Sequence, residues 1–482
     1  MCDIIYKIYI GDNMREKRSN KTHLILNDKN IIKGILLLSL PIMLNNIIKA
    51  FHDVVDTFMI SKMDELPEIV SAQMGAIGFV MPIFNICQAL AIGMMTAGTA
   101  LMSQYIGAKK PEKASKVSGQ LLLLCAIVGV IFNAILYFLA PTILRLMNAE
   151  TYLFDYSLQY LRIRSFELSS LFIFYAYQST RQSQGDTVTP VIINSSSIVV
   201  NIIFTAIFIF GFNLGLAGAA YGTLIANIAI VPICILHMVK SSKIRLTKET
   251  IKPDIKYDKK ILSLGIPSAI AQAFTSLAFL IINGMMAGYD NGILTPITVG
   301  NKINSMMLFP VMGIGTVLAT FVGQNIGAGN IKRAKKSFFS AIFLSVLITT
   351  IGMLCLLPFK PQLAKIFLDI PSEIDICVEY LNFLLLGLPL MGIFQCFNGL
   401  FQGAGRTGIV LIFATTRLWI MRVPVLTLLL KVFDVGYPAV WICMVISNFG
   451  AVILGIFLYK FIDFKPKINK MHQKIKQELS RG

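Results

Sequence analysis

The sequence contains 482 residues, of which 55% are hydrophobic and 14% are charged. Because its mean hydropathy is +0.71, the chain has too little polar surface for a soluble globular protein, and we expect an all-α integral membrane protein. A net charge of +18 is typical of some nucleic-acid binders. Here, however, basic residues alternate with apolar runs instead of forming one folded face, which argues against a nucleic-acid partner.

Apolar runs long enough to cross a bilayer recur along the chain. A membrane helix needs about 20 apolar residues. The first run follows a basic tail at 1–33, which is too long and too poorly punctuated for a cleaved signal peptide. The runs predict about twelve transmembrane helices at 34–60, 71–103, 117–140, 158–180, 188–210, 216–239, 261–288, 295–322, 337–358, 378–401, 408–430 and 436–460.

Positive charge in the connecting loops predicts the orientation. Lys and Arg gather in alternate connections, and such loops are retained on the cytoplasmic side. We therefore expect a multi-pass protein of the plasma (inner) membrane with both termini in the cytoplasm, and the Lys- and Ile-rich, Trp-poor composition suggests a bacterium. The predicted organisation is a cytoplasmic tail (1–33), an N-lobe of helices 1–6 (34–239), a cytoplasmic linker (240–260), a C-lobe of helices 7–12 (261–460) and a cytoplasmic tail (461–482).

An internal repeat relates the two halves. A shift of 220 positions aligns Ser103-Gln-Tyr-Ile-Gly-Ala108 with Gly323-Gln-Asn-Ile-Gly-Ala328. The same shift places Gln182, Gly185 and Thr187 on Gln402, Gly405 and Thr407. Two six-helix lobes of the same sidedness, with a cavity between them, are typical of one class of secondary transporter. Pro41 and Pro267 open helices one and seven and are the predicted hinges.

Catalytic and cofactor motifs are missing from the sequence. It contains no Gly-x-x-x-x-Gly-Lys-Ser/Thr stretch, so energy is expected to come from an ion gradient and not from ATP. The eight cysteines lie mostly inside apolar runs without metal-ligand spacing, which is typical of packing thiols. The four histidines are scattered, which argues against an intramembrane enzyme.

The long second helix and its neighbours resemble a known family. Residues 75–108 resemble the second-helix signature of the multidrug and toxic compound extrusion (MATE) family, through Gly78, Pro82, Gln88, Gly93, Gly98, Thr99, Ser103, Gly107 and Ala108. Gln184-Gly-Asp-Thr187 resembles the family's turn after helix four, and Asn201 with 215–220 fits its helix five and the following outer turn. The resemblance covers residues 34–460 and implies a two-lobe efflux transporter.

Three acids lie inside predicted membrane helices and away from their ends, where an ionisable side chain costs about 2.5 to 3.5 kcal/mol and is usually functional. Asp53 and Asp56 are three residues apart and share one face of helix one, and Glu167 lies in helix four. Alternatives remain for each acid. Asp53 would be a solvated residue near the outer mouth, Asp56 would pair with His52 or a helix-four Arg, and Glu167 would pair with a nearby Arg.

The resemblance implies that Asp56 is the ion-coupling residue and that Asn201 is its partner on helix five. The family's second polar position on helix five is Thr205 here, which can share a hydrogen-bond network but cannot carry charge. Burial would favour the protonated form of the Asp56 carboxyl group. The expected coupling ion is a proton or sodium, with a possible sodium site at Asp56 and Asn201, and no other cofactor or metal is expected.

Methionines, amides and two basic residues are candidates for the substrate cavity. Flexible thioethers suit promiscuous binding of amphipathic cations, whereas a basic lining would repel them. Ordinary core or lipid-facing packing is the alternative. The candidate cavity residues are Gln88, Met95, Gln272, Asn283, Met286, Lys302, Met306 and Arg417.

Together these features predict a secondary efflux transporter that exports amphipathic, cationic drugs or toxic compounds by antiport with protons or sodium. The two lobes would alternate access to the cavity. The alternative is a flippase or exporter of a lipid-linked sugar or another anionic amphiphile. The expected partners are a small-molecule substrate and membrane lipids, and we expect a monomer.

Overall fold

A computed structural model of the protein describes residues 22–63, 66–147, 151–241, 243–287 and 294–468. Within these ranges all the regular secondary structure is helical, with no strand. The all-α prediction is confirmed. Most of the two predicted tails, and the predicted connections at 64–65, 148–150 and 288–293, lie outside the described residues.

The helices follow the predicted order in two halves joined by a linker. The N-terminal half contains α1 (Ile31–Ser61), α2 (Pro67–Gly107), α3 (Pro111–Leu146), α4 (Thr151–Ser165), α5 (Glu167–Gln182), α6 (Val188–Ala206), a π-helical turn (Ile207–Gly211) and α7 (Gly215–Val239), and the linker holds α8 (Lys248–Ile251). The C-terminal half contains α9 (Ile255–Ala287), α10 (Leu294–Gly327), α11 (Ile331–Leu356), a 3-10 turn (Leu357–Phe359), α12 (Lys360–Lys365), α13 (Pro371–Gly403), α14 (Thr407–Thr415), a π-helical turn (Thr416–Arg422), α15 (Val423–Lys431) and α16 (Pro438–Lys460). We call the two halves the N-lobe and the C-lobe.

The fourth span differs from the predicted continuous helix. Eleven helices in the described part of the chain are long and apolar enough to cross a membrane. The fourth crossing is instead divided into α4 and α5, which meet at Phe166. Arg162, Arg164 and Glu167 surround this break, so charge interrupts the apolar run. Most of α5 is buried, which shows that the polar span lies inside the bundle.

The internal repeat appears in the structure as a reciprocal contact between the lobes. A Cβ atom on Gly107 of α2 would lie 1.9 Å from the carbonyl oxygen of Gln324 in α10. A Cβ atom on Gly327 of α10 would lie 2.0 Å from the carbonyl oxygen of Gln104 in α2. The two contacts are related by the shift of 220 positions. Because only glycine leaves this space, the ends of the two helices touch backbone to backbone.

Side-chain amides join the lobes at the same end of the bundle, which also carries both tails. Gln104 Nε2 donates a hydrogen bond to the carbonyl oxygen of Gly403 at 3.1 Å. Gln324 Nε2 donates to the carbonyl oxygen of Ser183 at 2.7 Å. These buried bonds cross from one lobe to the other in both directions. The lobes are therefore closed against each other at the tail end.

Basic residues hold the segments that precede the first and seventh spans. Arg333 of α11 donates from Nε to the carbonyl oxygen of Ile25 at 2.9 Å, so the N-terminal segment lies on the C-lobe. Lys116 of α3 donates from Nζ to the carbonyl oxygen of Lys252 at 2.7 Å, so the linker lies on the N-lobe. Each segment thus crosses to the lobe that does not contain the span it precedes.

The first and seventh spans change lobes along their length. Residues 31–43 of α1 pack into the C-lobe core, whereas Met59 packs in the N-lobe. Residues 261–264 of α9 pack into the N-lobe core, whereas Ile282 packs in the C-lobe. The two spans are therefore the physical links through which movement of one lobe reaches the other.

The predicted hinge residues Pro41 and Pro267 are internal positions of these two helices. Proline removes one helical hydrogen bond and favours a bend. Pro267 lies between Leu264, which packs in the N-lobe core, and Ala271, which packs in the C-lobe core, whereas Pro41 lies within the part of α1 that packs in the C-lobe core. Bending at these prolines remains a prediction.

Candidate ion-coupling site

Four ionisable side chains follow one another along the first span: Lys49, His52, Asp53 and Asp56. Spacings of three and four residues place side chains on neighbouring positions of one helical face. The structure brings this face of α1 against α6, the fifth span, in the interior of the N-lobe. The acids predicted for ion coupling therefore lie beside the helix that was predicted to supply their partner.

His52 lies between Asp56 and Asn201. Its Nε2 atom is 2.6 Å from Asn201 Oδ1 and 3.3 Å from Asp56 Oδ2. Asn201 Nδ2 is 3.0 Å from Thr223 Oγ1, and that hydroxyl donates its proton to the carbonyl oxygen of Ala219. Because Thr223 must then accept from the amide, Asn201 presents its oxygen to His52, and Nε2 carries the proton.

The two carboxyl groups of α1 have different surroundings. The Asp56 side chain is 26% exposed, and its Oδ1 atom is buried with no hydrogen-bond partner among the described residues. The Asp53 side chain is 80% exposed, and its Oδ1 lies 3.9 Å from His52 Nδ1. Asp56 therefore contacts His52, as in the alternative interpretation, and through His52 it also lies near Asn201, its predicted partner. Asp53 has the exposure expected of a solvated residue.

Glu167 belongs to a buried ion pair at the break of the fourth span. Arg164 donates from Nε to Glu167 Oε2 at 3.0 Å and from Nη2 to Oε1 at 2.6 Å. Its Nη1 atom donates to the Tyr160 hydroxyl at 2.8 Å, and the guanidinium lies 4.7 Å from the centre of the Phe84 ring. Both carboxylate oxygens are engaged, as expected for the alternative of a local ion pair.

Thr205 lies outside the hydrogen-bond network of Asp56. Its hydroxyl is buried and has no hydrogen-bond partner among the described residues. The side chain is directed at α7, where a Cβ atom on Gly222 would lie 2.3 Å from Thr205 Oγ1. The shared network expected for Thr205 is therefore absent from this structure, because close helix packing holds the hydroxyl against Gly222.

A cavity of about 370 Å³ adjoins the network in the N-lobe. Its lining is mainly polar, and Phe84 is the one aromatic residue among those that line it in the described chain. The amides are Asn85, Gln88, Asn194, Asn201 and Asn227, and the ionisable side chains are Lys49, His52, Asp53, Arg164 and Glu167. Such a lining offers hydrogen bonds and paired charges, and of the predicted cavity residues it contains Gln88.

Lys49 is a lining residue that the sequence analysis missed. It forms no ion pair or hydrogen bond with the described residues, although it interacts electrostatically with Asp53. Lys302 of α10 also interacts electrostatically with Asp53, across the two lobes. The sequence signal for Lys49 was a lysine inside an apolar run, four residues before an acid. Lys49 in the N-lobe and Lys302 in the C-lobe therefore both add positive charge near Asp53.

The structure distributes the predicted cavity residues among several environments. Gln88 lines the N-lobe cavity and donates to the Tyr175 hydroxyl at 2.9 Å. Met286 is buried in the C-lobe core, as expected for the alternative of ordinary packing, and Arg417 is buried away from the N-lobe cavity. Met95 is half-buried against the N-lobe core, whereas Gln272, Asn283, Lys302 and Met306 are exposed.

Two lobes of membrane-spanning helices that close on each other at one end, with a charged cavity inside one of them, are typical of a membrane transporter. The MatE family model matches residues 41–207 and 267–428, with one match in each lobe. The chain belongs to the MatE family, and the predicted family membership is confirmed. It is a multi-pass membrane transporter and not an enzyme.

Relatives of similar length support this assignment. The chain is 24% identical to the probable multidrug resistance protein YoeA of Bacillus subtilis, over 92% of this chain and 96% of the relative. It is 23% identical to the multidrug export protein MepA of Staphylococcus saprophyticus, over 90% and 95%. It is 25% identical to the probable multidrug resistance protein NorM of Thermotoga maritima, over 86% and 89%.

Solved structures share the fold. One describes the outward-facing conformation of a multidrug resistance MATE family transporter of the MOP superfamily, with a TM-score of 0.85 at 23% identity over 91% of this chain and 97% of that chain. Another, from Pyrococcus furiosus, has a TM-score of 0.83 at 23% identity over the same shares, and is described as having a binding pocket of reverse polarity that suggests a different function. The predicted two-lobe architecture is confirmed.

Proposed function

We propose that this chain exports amphipathic small molecules by antiport with protons, and that Asp56 and His52 carry the coupling proton. The observation that supports the proposal is the placement of His52 Nε2 between Asp56 Oδ2 and Asn201 Oδ1. An acid and an imidazole in contact inside a membrane protein form a pair that can gain and lose one proton without a large movement. Relatives named for multidrug export support an efflux role.

The same contact favours protons over sodium. Sodium would need the oxygens of Asp56 and Asn201 as ligands. Asp56 Oδ2 and Asn201 Oδ1 both face the proton-bearing nitrogen of His52, which supplies positive charge density where the ion would bind. Of these ligands only Asp56 Oδ1 is left without a partner, which is too few oxygens for sodium, whereas a proton needs only the existing nitrogen and carboxylate.

The closed tail end sets the direction of access. Loop charges predict that the tails are cytoplasmic, so a bundle closed at that end opens outward. In this state a proton from outside reaches the N-lobe cavity and neutralises Asp56 or charges His52. The lobes then rock about α1 and α9, the proton is released to the cytoplasm, and substrate takes its place. Proton entry offsets the electrical cost of exporting a cation, which is about 2.3 kcal/mol per 100 mV.

A flippase or exporter for a lipid-linked sugar or another anionic amphiphile is the second candidate function. The observation that favours it is the amide-rich N-lobe cavity with Lys49 in its lining, because amides bind hydroxyl groups and an unpaired ammonium attracts anions. Transport of a fluorescent cation would support the first candidate. Transport of a fluorescent lipid-linked anion, without transport of the cation, would support the second.

Proteoliposomes with imposed ion gradients test the proposal. The wild-type chain should accumulate a fluorescent cation under a proton gradient and should not do so under a sodium gradient. His52→Gln keeps an N–H donor for Asn201 but removes the titrating ring, so proton-driven accumulation should fall about tenfold or more. His237→Gln is the matched control, because His237 lies on α7 and contacts Tyr177 outside the site. Sodium-driven accumulation, or an unchanged rate for His52→Gln, would contradict the proposal.

A further inference from the structure

Two arginines are buried in the C-lobe without an acidic partner. Arg417 and Arg422 lie in the π-helical turn of the eleventh span and are only 5% and 7% exposed. Neither forms an ion pair with a carboxylate in the described ranges. A guanidinium stays charged in proteins, so burial cannot be relieved by loss of a proton. Two uncompensated charges in a membrane protein require a compensating group.

The π-helical turn brings the two guanidinium groups together. In a π-helix the backbone hydrogen bonds join residues five apart, so positions 417 and 422 lie on neighbouring positions of one face. Arg417 Nη1 is 3.3 Å from Asn448 Oδ1, and Arg422 Nη2 donates to the same oxygen at 3.0 Å. Arg422 Nε donates to the Ser447 hydroxyl at 2.9 Å. Two like charges therefore share one amide oxygen, which is a weak acceptor for both.

Hydrogen-bond donors outnumber acceptors around this cluster. Arg417 Nε and Trp441 Nε1 are buried and have no partner among the described residues. Trp441 stacks on Tyr380 at 4.3 Å between ring centres, and Tyr380 interacts electrostatically with Arg422. The missing group must therefore accept several hydrogen bonds and carry negative charge. An oxyanion has both properties, and guanidinium groups bind oxyanions through paired hydrogen bonds.

The cluster occupies the repeat-related counterpart of the N-lobe cavity. The shift of 220 positions takes the N-lobe cavity residues Glu167, Ser197 and Asn227 to Gly387, Arg417 and Ser447. A Cβ atom on Gly387 would lie 3.3 Å from Asn448 Nδ2, so the counterpart of Glu167 faces the cluster. The acid of the N-lobe is thus replaced in the C-lobe by a glycine, which supplies no carboxylate to the two cations.

We infer that Arg417, Arg422 and Asn448 form an anion-binding site that holds the phosphate or carboxylate group of an amphipathic ligand. Phe394 lies under the Arg417 guanidinium at 4.3 Å, and Met391 lies 3.4 Å from Arg417 Nη1, so apolar groups for the rest of an amphiphile adjoin the charges. That the ligand is transported rests on the second candidate function, the export of an anionic amphiphile. Binding itself does not, and it is measured without an ion gradient.

Tryptophan fluorescence provides a direct readout. The chain has two tryptophans, and both lie near the cluster, Trp419 within the π-helical turn and Trp441 on α16. The purified full-length protein in neutral detergent is titrated with hexyl phosphate, with inorganic phosphate and with hexyltrimethylammonium. We expect a saturable fluorescence change with hexyl phosphate and none with the cation. Weaker binding of inorganic phosphate would identify an amphiphile headgroup as the ligand, whereas equal binding would identify a free oxyanion and overturn the amphiphile assignment.

Variants test the residues. Arg417→Gln/Arg422→Gln should weaken hexyl phosphate binding at least about tenfold, because the charge-assisted hydrogen bonds are lost. Lys332→Gln is the matched control, since it removes an exposed basic residue of α11 in the same lobe. Arg417→Lys/Arg422→Lys keeps the positive charge but loses the paired hydrogen bonds of the planar guanidinium group, so it should give intermediate binding. Unchanged binding in the double Gln variant would overturn the inference.

A measurement on the wild-type chain covers the case in which the double Gln variant does not fold. Hexyl phosphate should raise the melting temperature, and hexyltrimethylammonium should not, because only a ligand bound to the folded state stabilises it. Equal shifts with both compounds would overturn the inference. A negative binding result would leave the His52→Gln transport result unaffected, so failure of this site and failure of the coupling proposal can be told apart.

Discussion

The two lobes share one scaffold and differ in the charges that they carry. In the N-lobe, Asp53 and the ion pair of the fourth span line a polar cavity. In the C-lobe, Arg417 and Arg422 stand at the positions equivalent to Ser197 and Ile202, and no described carboxylate contacts them. Contacts made by glycine and glutamine backbones are preserved in both lobes, because they form the closure itself. The two lobes therefore share the helix-end contacts that close them on each other, and they differ in the residues of their sites.

The turn that follows the fourth span and the tenth span carries opposite charges at one equivalent position. Asp186 of the N-lobe and Arg406 of the C-lobe are equivalent under the shift of 220 positions. Asp186 pairs with Arg181, and both side chains are buried. Arg406 pairs with Asp463 of the C-terminal segment, and the Asp463 side chain is 47% exposed. The two equivalent turns therefore allow a buried ion pair and a partly exposed ion pair to be compared within one protein.

Asp186→Asn should produce the largest loss of stability. It leaves the Arg181 guanidinium buried without its charge partner, which costs about 3 to 5 kcal/mol in soluble proteins. Thermal unfolding of the purified protein in detergent measures the effect. The double variant Arg181→Gln/Asp186→Asn should recover part of the loss, because neither charge is left alone. Equal stability of Asp186→Asn and the wild type would contradict the buried-pair interpretation.

Gly107→Val and Gly327→Val should impair transport equally. Each Cβ would meet a backbone carbonyl oxygen at 1.9 or 2.0 Å, so the lobes could not close at the tail end. We expect the transport rate to fall about tenfold or more, which corresponds to an increase of at least about 1.4 kcal/mol in the activation free energy of transport. Gly78→Val is the matched control, because open space surrounds Gly78 on α2. A fall in the transport rate in only one of the two valine variants would contradict the interpretation that the two contacts are equivalent.

Asp463→Asn should have the smallest effect, below about 1 kcal/mol, because the pair is partly exposed and screened by solvent. A backbone hydrogen bond from Lys465, together with Arg406, lowers the pKa of Asp463 from its ordinary value of 3.8. The folded state therefore binds this proton less readily than the unfolded state. Its stabilisation is present above the unfolded pKa and is lost as the pH falls through the folded one.

The measurement compares wild-type and Asp463→Asn melting temperatures at about pH 7 and about pH 3, where the difference should shrink. An effect of Asp463→Asn as large as that of Asp186→Asn would contradict the contrast between exposed and buried pairs.

Most of the fold was predictable because a bilayer leaves the backbone few choices. Spanning segments must satisfy their own hydrogen bonds as helices, so apolar runs predict helices directly. The fourth span was predicted as a continuous helix, yet its charged residues belong to a break that is filled by the Arg164–Glu167 pair. A hydropathy pattern shows that charged residues interrupt an apolar run, but it does not predict which of them form an ion pair.

The candidate site was predictable only in part. The identity of Asp56 and its Asn201 neighbour came from the family resemblance, and the structure places them around His52. Thr205 and Met286 could not be assigned from sequence, because α-helical periodicity does not distinguish a cavity face from a packed face. The pairing of Arg417 with Arg422 was hidden for another reason. Their alignment depends on a π-helical turn, and the α-helical period used for prediction separates them.

The most direct test of the account is transport by Asp56→Asn in proteoliposomes, measured both as counterflow and as accumulation under an imposed proton gradient. The account predicts that this variant retains substrate counterflow and loses proton-driven accumulation, because the lobes still move but no carboxyl group loads the proton. Asp53→Asn, which alters the exposed acid of the same helix, should keep most of its accumulation. Accumulation by Asp56→Asn at the wild-type level would contradict the account.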